Sequence, residues 1–152
     1  MPKEETKDER LNRELEELLQ ELRIALPGVQ ILFAFLLVVP FNNRFAETDD
    51  LQRDVWFTAL LLALVAVACF IAPTAYHRIR FREFDKERLV TTANRLAVVG
   101  LACLATALSA SAFFVTGFVF SDRAAAVVTA LAVGVIGGLW FALPLLRKAS
   151  DS

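Results

Sequence analysis

Hydrophobic positions along this chain fall into four long runs, and the polar positions are gathered between them. Charged residues concentrate in residues 3–23, 42–54 and 76–95 and at the C-terminus. A soluble domain spreads charge along the outer faces of amphipathic elements, so this segregation predicts membrane spans joined by polar segments. The second span is predicted over Val55–Tyr76, the third over Leu96–Phe120 and the fourth over Ala124–Leu146. The first is shorter on its face. Val29–Phe41 is apolar apart from Gln30, but 13 helical residues reach only ~20 Å against a hydrocarbon core of ~30 Å. The span closes over residues 23–41 if the helix continues back across Pro27.

The segment before it has a different period. Leu11, Leu15, Leu18 and Leu22 recur at 4-3-4 spacing, with Leu19 and Leu26 widening the stripe. Arg10, Arg13, Glu14, Glu17 and Glu21 occupy the other face, which predicts an amphipathic helix. Pro27-Gly28 follows, and proline disfavours helix in the residue before it and removes a donor. A kink or break is therefore expected there. The resulting division is a cytoplasmic acidic helix over residues 1–26, a membrane domain over 27–148 and a tail over 149–152. The fold class is all-α: a four-helix transmembrane bundle with an N-terminal amphipathic cytoplasmic helix.

Charge sets the expected orientation. Lys and Arg number five in residues 3–23, two in the first connection, six in the second, one in the third and two in the tail. Alternate sides of the membrane thus hold thirteen and three, and the positive-inside rule places both termini and the basic connection in the cytoplasm. The expected location is the inner (plasma) membrane, multi-pass. Composition agrees, since 57% of residues are hydrophobic against about 45–50% in soluble domains. Cys69 and Cys103 fall inside apolar runs, as buried thiols do, rather than in a disulfide framework.

Several features are candidates for function. Ala126, Ala130, Gly134, Gly138 and Ala142 lie four apart on the fourth span and include a G-x-x-x-G pattern. Helices in lipid associate by close packing, which small side chains permit. The ridge is read first as packing within the bundle, against the third-span stripe Ala93, Ala97, Gly100, Ala107 and Ser111, and second as a homo-oligomer contact. The leucine seam of residues 7–26 is expected either to dock on the protein's own cytoplasmic face, its acids toward the basic connection, or to pair with another copy or a protein partner. Residues 1–21 carry eight acidic and four basic side chains, which disfavours an anionic membrane surface for that helix. In the basic connection, Arg78, Arg80 and Arg82 are candidates for lipid headgroup contact, with Phe81 and Phe84 interleaved. Gln30, His77, Asn94 and Arg95 sit at a similar level near the cytoplasmic boundary and form a candidate polar cluster. Thr106, Ser109, Ser111, Thr116 and Thr129 are expected to bond to their own helix or to a neighbour.

No catalytic constellation is evident: there is one histidine, no phosphate-cradling glycine loop and no pair of carboxylates at depth. No metal, cofactor or nucleic acid is expected, and the chain is not expected to be an enzyme. Ion-coupled carriers typically place Asp, Glu or His at mid-membrane, and no acidic residue falls inside a predicted span.

The stretch Glu17–Leu37, ELLQELRIALPGVQILFAFLL, is distinctive, as are Gln52-Arg53-Asp54-Val55, Ile71–Arg78 and Ala93-Asn94-Arg95-Leu96-Ala97. Together they resemble a bacterial family of four-span membrane proteins of uncharacterised function, over almost the whole chain. Members of that family are sometimes labelled sodium:proton antiporters. The residues and the resemblance leave two functional classes. One is a non-enzymatic structural or accessory membrane protein that self-associates. The other is a small ion transporter or channel, an antiporter among the options.

Overall fold

The computed structural model describes residues 6–79 and 86–150. Its helices are α1 (Lys7–Val38), α2 (Asp50–Ile79), α3 (Lys86–Val119), α4 (Asp122–Gly137) and α5 (Leu143–Ser150). A π turn, Gly138–Ala142, joins α4 to α5. Four helical stretches are long and apolar enough to cross a membrane: Glu9–Phe41, Asp50–Tyr76, Glu87–Val119 and Asp122–Arg147. The chain is therefore a multi-pass membrane protein with an all-α bundle.

Helix α1 runs unbroken through Pro27, so of the kink or break expected there, no break is present. The acidic amphipathic segment and the first span are one helix. The cause is packing on both sides of the proline. Leu22 and Val29, one heptad apart, are 7% and 0% exposed and belong to one cluster with Ala66, Phe70 and Leu104. Pro27 and Gly28 sit on the exposed side, so the ring meets no neighbouring helix. At the N-terminus, Thr6 caps α1: its backbone N–H donates to Glu9 Oε2 at 2.9 Å, and the Glu9 N–H donates back to Thr6 Oγ1 at 3.3 Å. This capping box holds the Glu9 carboxyl below its usual value, chiefly through the backbone hydrogen bond and then through the Thr6 hydroxyl.

Buried positions on the first three helices repeat with a period near 3.5. They are Leu22, Val29 and Leu36 on α1; Ala59, Ala63, Ala66, Phe70 and Pro73 on α2; and Leu89, Ala93, Gly100, Leu104, Ala107 and Phe114 on α3, where Ser109 is buried off that period. That spacing is the seam of a left-handed helix bundle. Alanine and glycine fill much of it, so backbones approach closely where lipid supplies no hydrophobic drive between helices. The α2–α3 pair is the most extensive, and α1 lies against both. Helix α4 touches only α3 among the other spans in the described residues. The molecule is a three-helix core with α4 leaning on one side.

The connection after α1 is more ordered than a plain loop. Two 3₁₀ turns, Val39–Phe41 and Asn43–Glu47, precede α2, and Asp49 Oδ1 accepts from the Gln52 N–H at 2.7 Å. That cap starts α2 at Asp50, ahead of the apolar run. Pro40 cannot donate to Leu36 C=O, its ordinary partner four residues earlier. The Trp56 indole N–H takes that place at 3.0 Å, which ties α2 to the end of α1. Phe45 stacks edge-on against Trp56 with centroids 5.1 Å apart, and Arg44 lies 4.8 Å above the Phe118 ring.

Proline also shapes the end of the fourth span. The Pro144 ring crowds the Trp140 carbonyl and lacks a donor. The helix widens upstream, where the Leu143 N–H reaches back five residues to Gly138 C=O.

Candidate functional site

Helix α4 places two different faces in two different environments. Ala125 is fully buried and lies 3.6 Å from where a Cβ on Gly117 of α3 would stand. Thr129, Ala132 and Ile136 continue that half-buried face. The ridge begins one residue further on. Ala126, Ala130, Gly134 and Ala142 are exposed and Gly138 is half-buried, and a Cβ added at Gly134 or Gly138 would meet nothing within 4 Å. Among the described residues the ridge thus has no helix packed against it, and it does not meet the third-span stripe. That stripe turns the other way. Ala107 clusters with Leu36, Ala59 and Ala63 of α1 and α2, and Gly100 faces the Phe70 ring. A step of one residue on a helix turns a side chain by about 100°, and this separates the two faces of α4. Val127, Leu131 and Val135, all exposed, flank the small residues, so the outward surface has a shallow groove with a raised edge. Ala142 lies inside the π turn, where the i, i+4 register of the ridge ends.

The N-terminal part of α1 meets the start of α3. Lys7 Nζ lies 2.6 Å from Glu87 Oε2, and an open cavity of about 310 Å³ there is lined by Lys7, Arg10, Leu11, Glu14, Glu87, Val90 and Thr91. A lysine from the acidic helix here meets a glutamate at the edge of the basic connection; residues 80–85 of that connection, which the acids were expected to face, lie outside the described residues. Arg10 pairs along its own helix with Glu14 at 2.8 Å. Deeper in, Leu18 and Leu22 of the seam pack on the core cluster. Residues 7–26 therefore seat part of their leucine stripe on the protein itself.

Three members of the candidate polar cluster have described side chains. Gln30, Asn94 and Arg95 are exposed, and no hydrogen bond joins them to one another. The His77 side chain lies outside the described residues. Arg95 has different company: an open cavity of about 430 Å³ is lined by Glu87, Arg88, Thr91, Thr92 and Arg95. The seven-residue spacing of Arg88 and Arg95 was the available signal for that grouping, because it puts both on one helix face. Of the headgroup candidates, Arg78 is exposed at the end of α2, and Arg80 and Arg82 lie outside the described residues.

Cys69 is a free thiol beside Gly100, its Cβ 3.1 Å from where a Gly100 Cβ would stand, and Cys103 is one turn further along α3. The two half-buried cysteines are neighbours across the α2–α3 seam. Among the described residues no group of three or more His, Cys, Asp or Glu side chains is placed to hold a metal. The hydroxyls of Thr106, Ser109 and Ser111 bond back to Ala102, Ala105 and Ala107 of their own helix at 2.7–2.9 Å. Thr129 Oγ1 is buried on the α3-facing side of α4 and has no partner there.

Residues 4–144 match the family of unknown function DUF6328. The chain belongs to that family. No curated protein and no solved structure matches it. The DUF6328 match spans all four membrane helices and α1 from its first turn, so the amphipathic segment is part of the family's own architecture and not an appendage to it.

Proposed function

We propose that the protein is a non-enzymatic, structural or accessory component of the membrane that self-associates through the outward face of α4. One observation carries this reading: among the described residues nothing packs on the ridge Ala126-Ala130-Gly134-Gly138, which faces the surroundings of the bundle. Small residues on a lipid-facing surface leave lipid tails poorly packed, whereas a second helix seats its own ridge in the groove at close range. Two copies of α4 meeting across a two-fold axis satisfy both grooves at once. The excess of Lys and Arg on one set of connections supports an orientation with both termini in the cytoplasm.

The test is the substitution of Gly134 and Gly138 by leucine in the full chain, reconstituted in liposomes, with crosslinked oligomer as the readout. The open space at both positions predicts a normally folded protomer and loss of the oligomer. Unchanged crosslinking in a folded variant would remove α4 as the contact. Sodium- and protein-dependent proton flux in the same liposomes, read with an internal pH dye, would favour the transporter reading instead. Its pathway would then run between protomers.

A further inference from the structure

We infer that the pocket at the end of the bundle away from Lys7 and Glu87 binds a small, uncharged aromatic carbonyl compound, a single ring carrying a C=O group. The pocket has a volume of about 200 Å³ and is lined by Val39, Asn42, Phe45, Phe114, Val115 and Phe118. Its walls are aromatic and braced. Phe114 is buried, and the Phe118 ring stacks on it with centroids 6.0 Å apart and planes 16° apart. The Phe45 ring lies 6.5 Å from Phe114 and is held edge-on by Trp56 at 5.1 Å. Small-molecule pockets are usually formed before the ligand arrives, with apolar walls and a few placed polar groups. An apolar cavity of about 150 Å³ holds benzene, so this one has room for one ring and a short substituent.

The polar groups at the mouth set the ligand class. Asn42 Oδ1 accepts the Arg44 backbone N–H at 3.0 Å, as the cap of the second 3₁₀ turn. With the oxygen engaged there, the Asn42 amide NH₂ has no acceptor among the described residues. The lining therefore offers a donor, which a carbonyl oxygen meets. A ligand hydroxyl would bring a second donor to an oxygen already in use. The Arg44 guanidinium lies 4.8 Å above the Phe118 ring, with the Glu47 carboxylate 3.7 Å from it. That cation is balanced by its neighbour, so the rim favours a neutral ligand over an ion. Depth agrees. Val39 and Phe118 fall in the last turns of the stretches Glu9–Phe41 and Glu87–Val119, level with the membrane boundary. An aromatic body with a polar tip is at home at that level, whereas acyl chains belong to the hydrocarbon core below it.

The test is equilibrium dialysis of the full chain in phosphatidylcholine nanodiscs, with uptake by empty nanodiscs subtracted. The probe is propiophenone. Propylbenzene has the same shape without the oxygen, and cyclohexyl ethyl ketone keeps the oxygen without the aromatic ring. Saturable binding of propiophenone is expected. It should exceed propylbenzene by about 5-fold, the worth of one hydrogen bond, and cyclohexyl ethyl ketone by about 5-fold, from ring-on-ring contact. N42D keeps the capping oxygen and removes the donor, and is expected to abolish the first preference. F118L keeps apolar bulk and removes a wall ring, and is expected to weaken propiophenone by about 5-fold while leaving cyclohexyl ethyl ketone unchanged. G28A, at a position where a Cβ meets nothing within 4 Å, is expected to leave both preferences intact. Uptake no greater than that of empty nanodiscs would overturn the proposal and mean that lipid fills the pocket. Equal binding of the two ketones would overturn the aromatic class. Retention of the first preference by N42D, or full propiophenone binding by F118L, would overturn the assigned location. Asn42 is exposed and Phe118 half-buried, so both variants are expected to fold, and an unchanged thermal transition checks it.

Discussion

Replacing Gly100 by alanine should loosen the core of the molecule, and the same replacement at Gly134 should not. A Cβ at position 100 would stand 2.7 Å from Phe70 Cδ1 and 3.1 Å from Cys69 Cβ, well inside ordinary carbon contact of ~3.5–4.0 Å. Phe70 is 2% exposed and is wedged among Leu22, Val29, Ala66 and Leu104, so the ring has nowhere to retreat. Overpacking of this kind costs about 1–3 kcal/mol. Alanine is also the better helix former by about 1 kcal/mol, which offsets part of that cost in G100A. At Gly134, where nothing lies within 4 Å, only the helix gain applies. Comparing the two variants cancels the propensity term and leaves the steric one, a gap of about 1–3 kcal/mol in favour of G134A. Urea or dodecyl sulfate unfolding in a fixed detergent at monomeric concentration measures the gap. Trimming the obstacle gives the control: F70L should recover stability in the G100A background by more than it changes the parent, a positive coupling in a double-mutant cycle. Equal stability of G100A and G134A would refute the close α2–α3 approach at Phe70.

Two further outcomes follow from hydrogen bonding. Trp56→Phe keeps an aromatic ring beside Phe45 but removes the donor to Leu36 C=O, which Pro40 cannot serve; leaving a buried carbonyl unpaired should cost about 1–3 kcal/mol in the same unfolding assay. Thr129→Val replaces a buried, unpartnered hydroxyl with a methyl of the same shape. It should be neutral or stabilising by roughly 1 kcal/mol, and a clear loss of stability would mean that the hydroxyl has a partner in the membrane.

Much of the architecture was legible because the bilayer imposes a coarse rule. A span needs about 20 apolar residues, and Val55–Tyr76, Leu96–Phe120 and Ala124–Leu146 meet it without any knowledge of packing. What escaped depended on neighbours. The rule that proline ends a helix is local, and at Pro27 it lost to the burial of Leu22 and Val29 on either side. At Pro144 the same residue type did reshape the helix, through a π turn that no spacing rule announces. The small-residue ridge of α4 was visible as a pattern, but its direction was not. Whether Ala125 or Ala126 faces α3 is a matter of about 100°, and both are alanines. The leucine seam of α1 revealed an apolar stripe, but not its seat on Ala66, Phe70 and Leu104, nor the Lys7–Glu87 pair eighty residues apart in sequence. Arg95 was grouped with Gln30 and Asn94 by expected depth, whereas the helix groups it by face with Arg88.

Helix α1 reaches beyond the membrane as one continuous helix. Its 32 residues extend about 48 Å, some 18 Å more than the hydrocarbon core is thick. The part outside the core is continuous with the part within it. A push on the outer arm would be transmitted as tilt of the first span, and Val29 and Leu36 would carry it into the clusters shared with α2 and α3. The Lys7–Glu87 pair pins the tip of that arm to α3, and because both side chains are largely solvent-exposed the pin is weak. Rising salt would release the tip while leaving the fulcrum at Leu22 and Val29 in place.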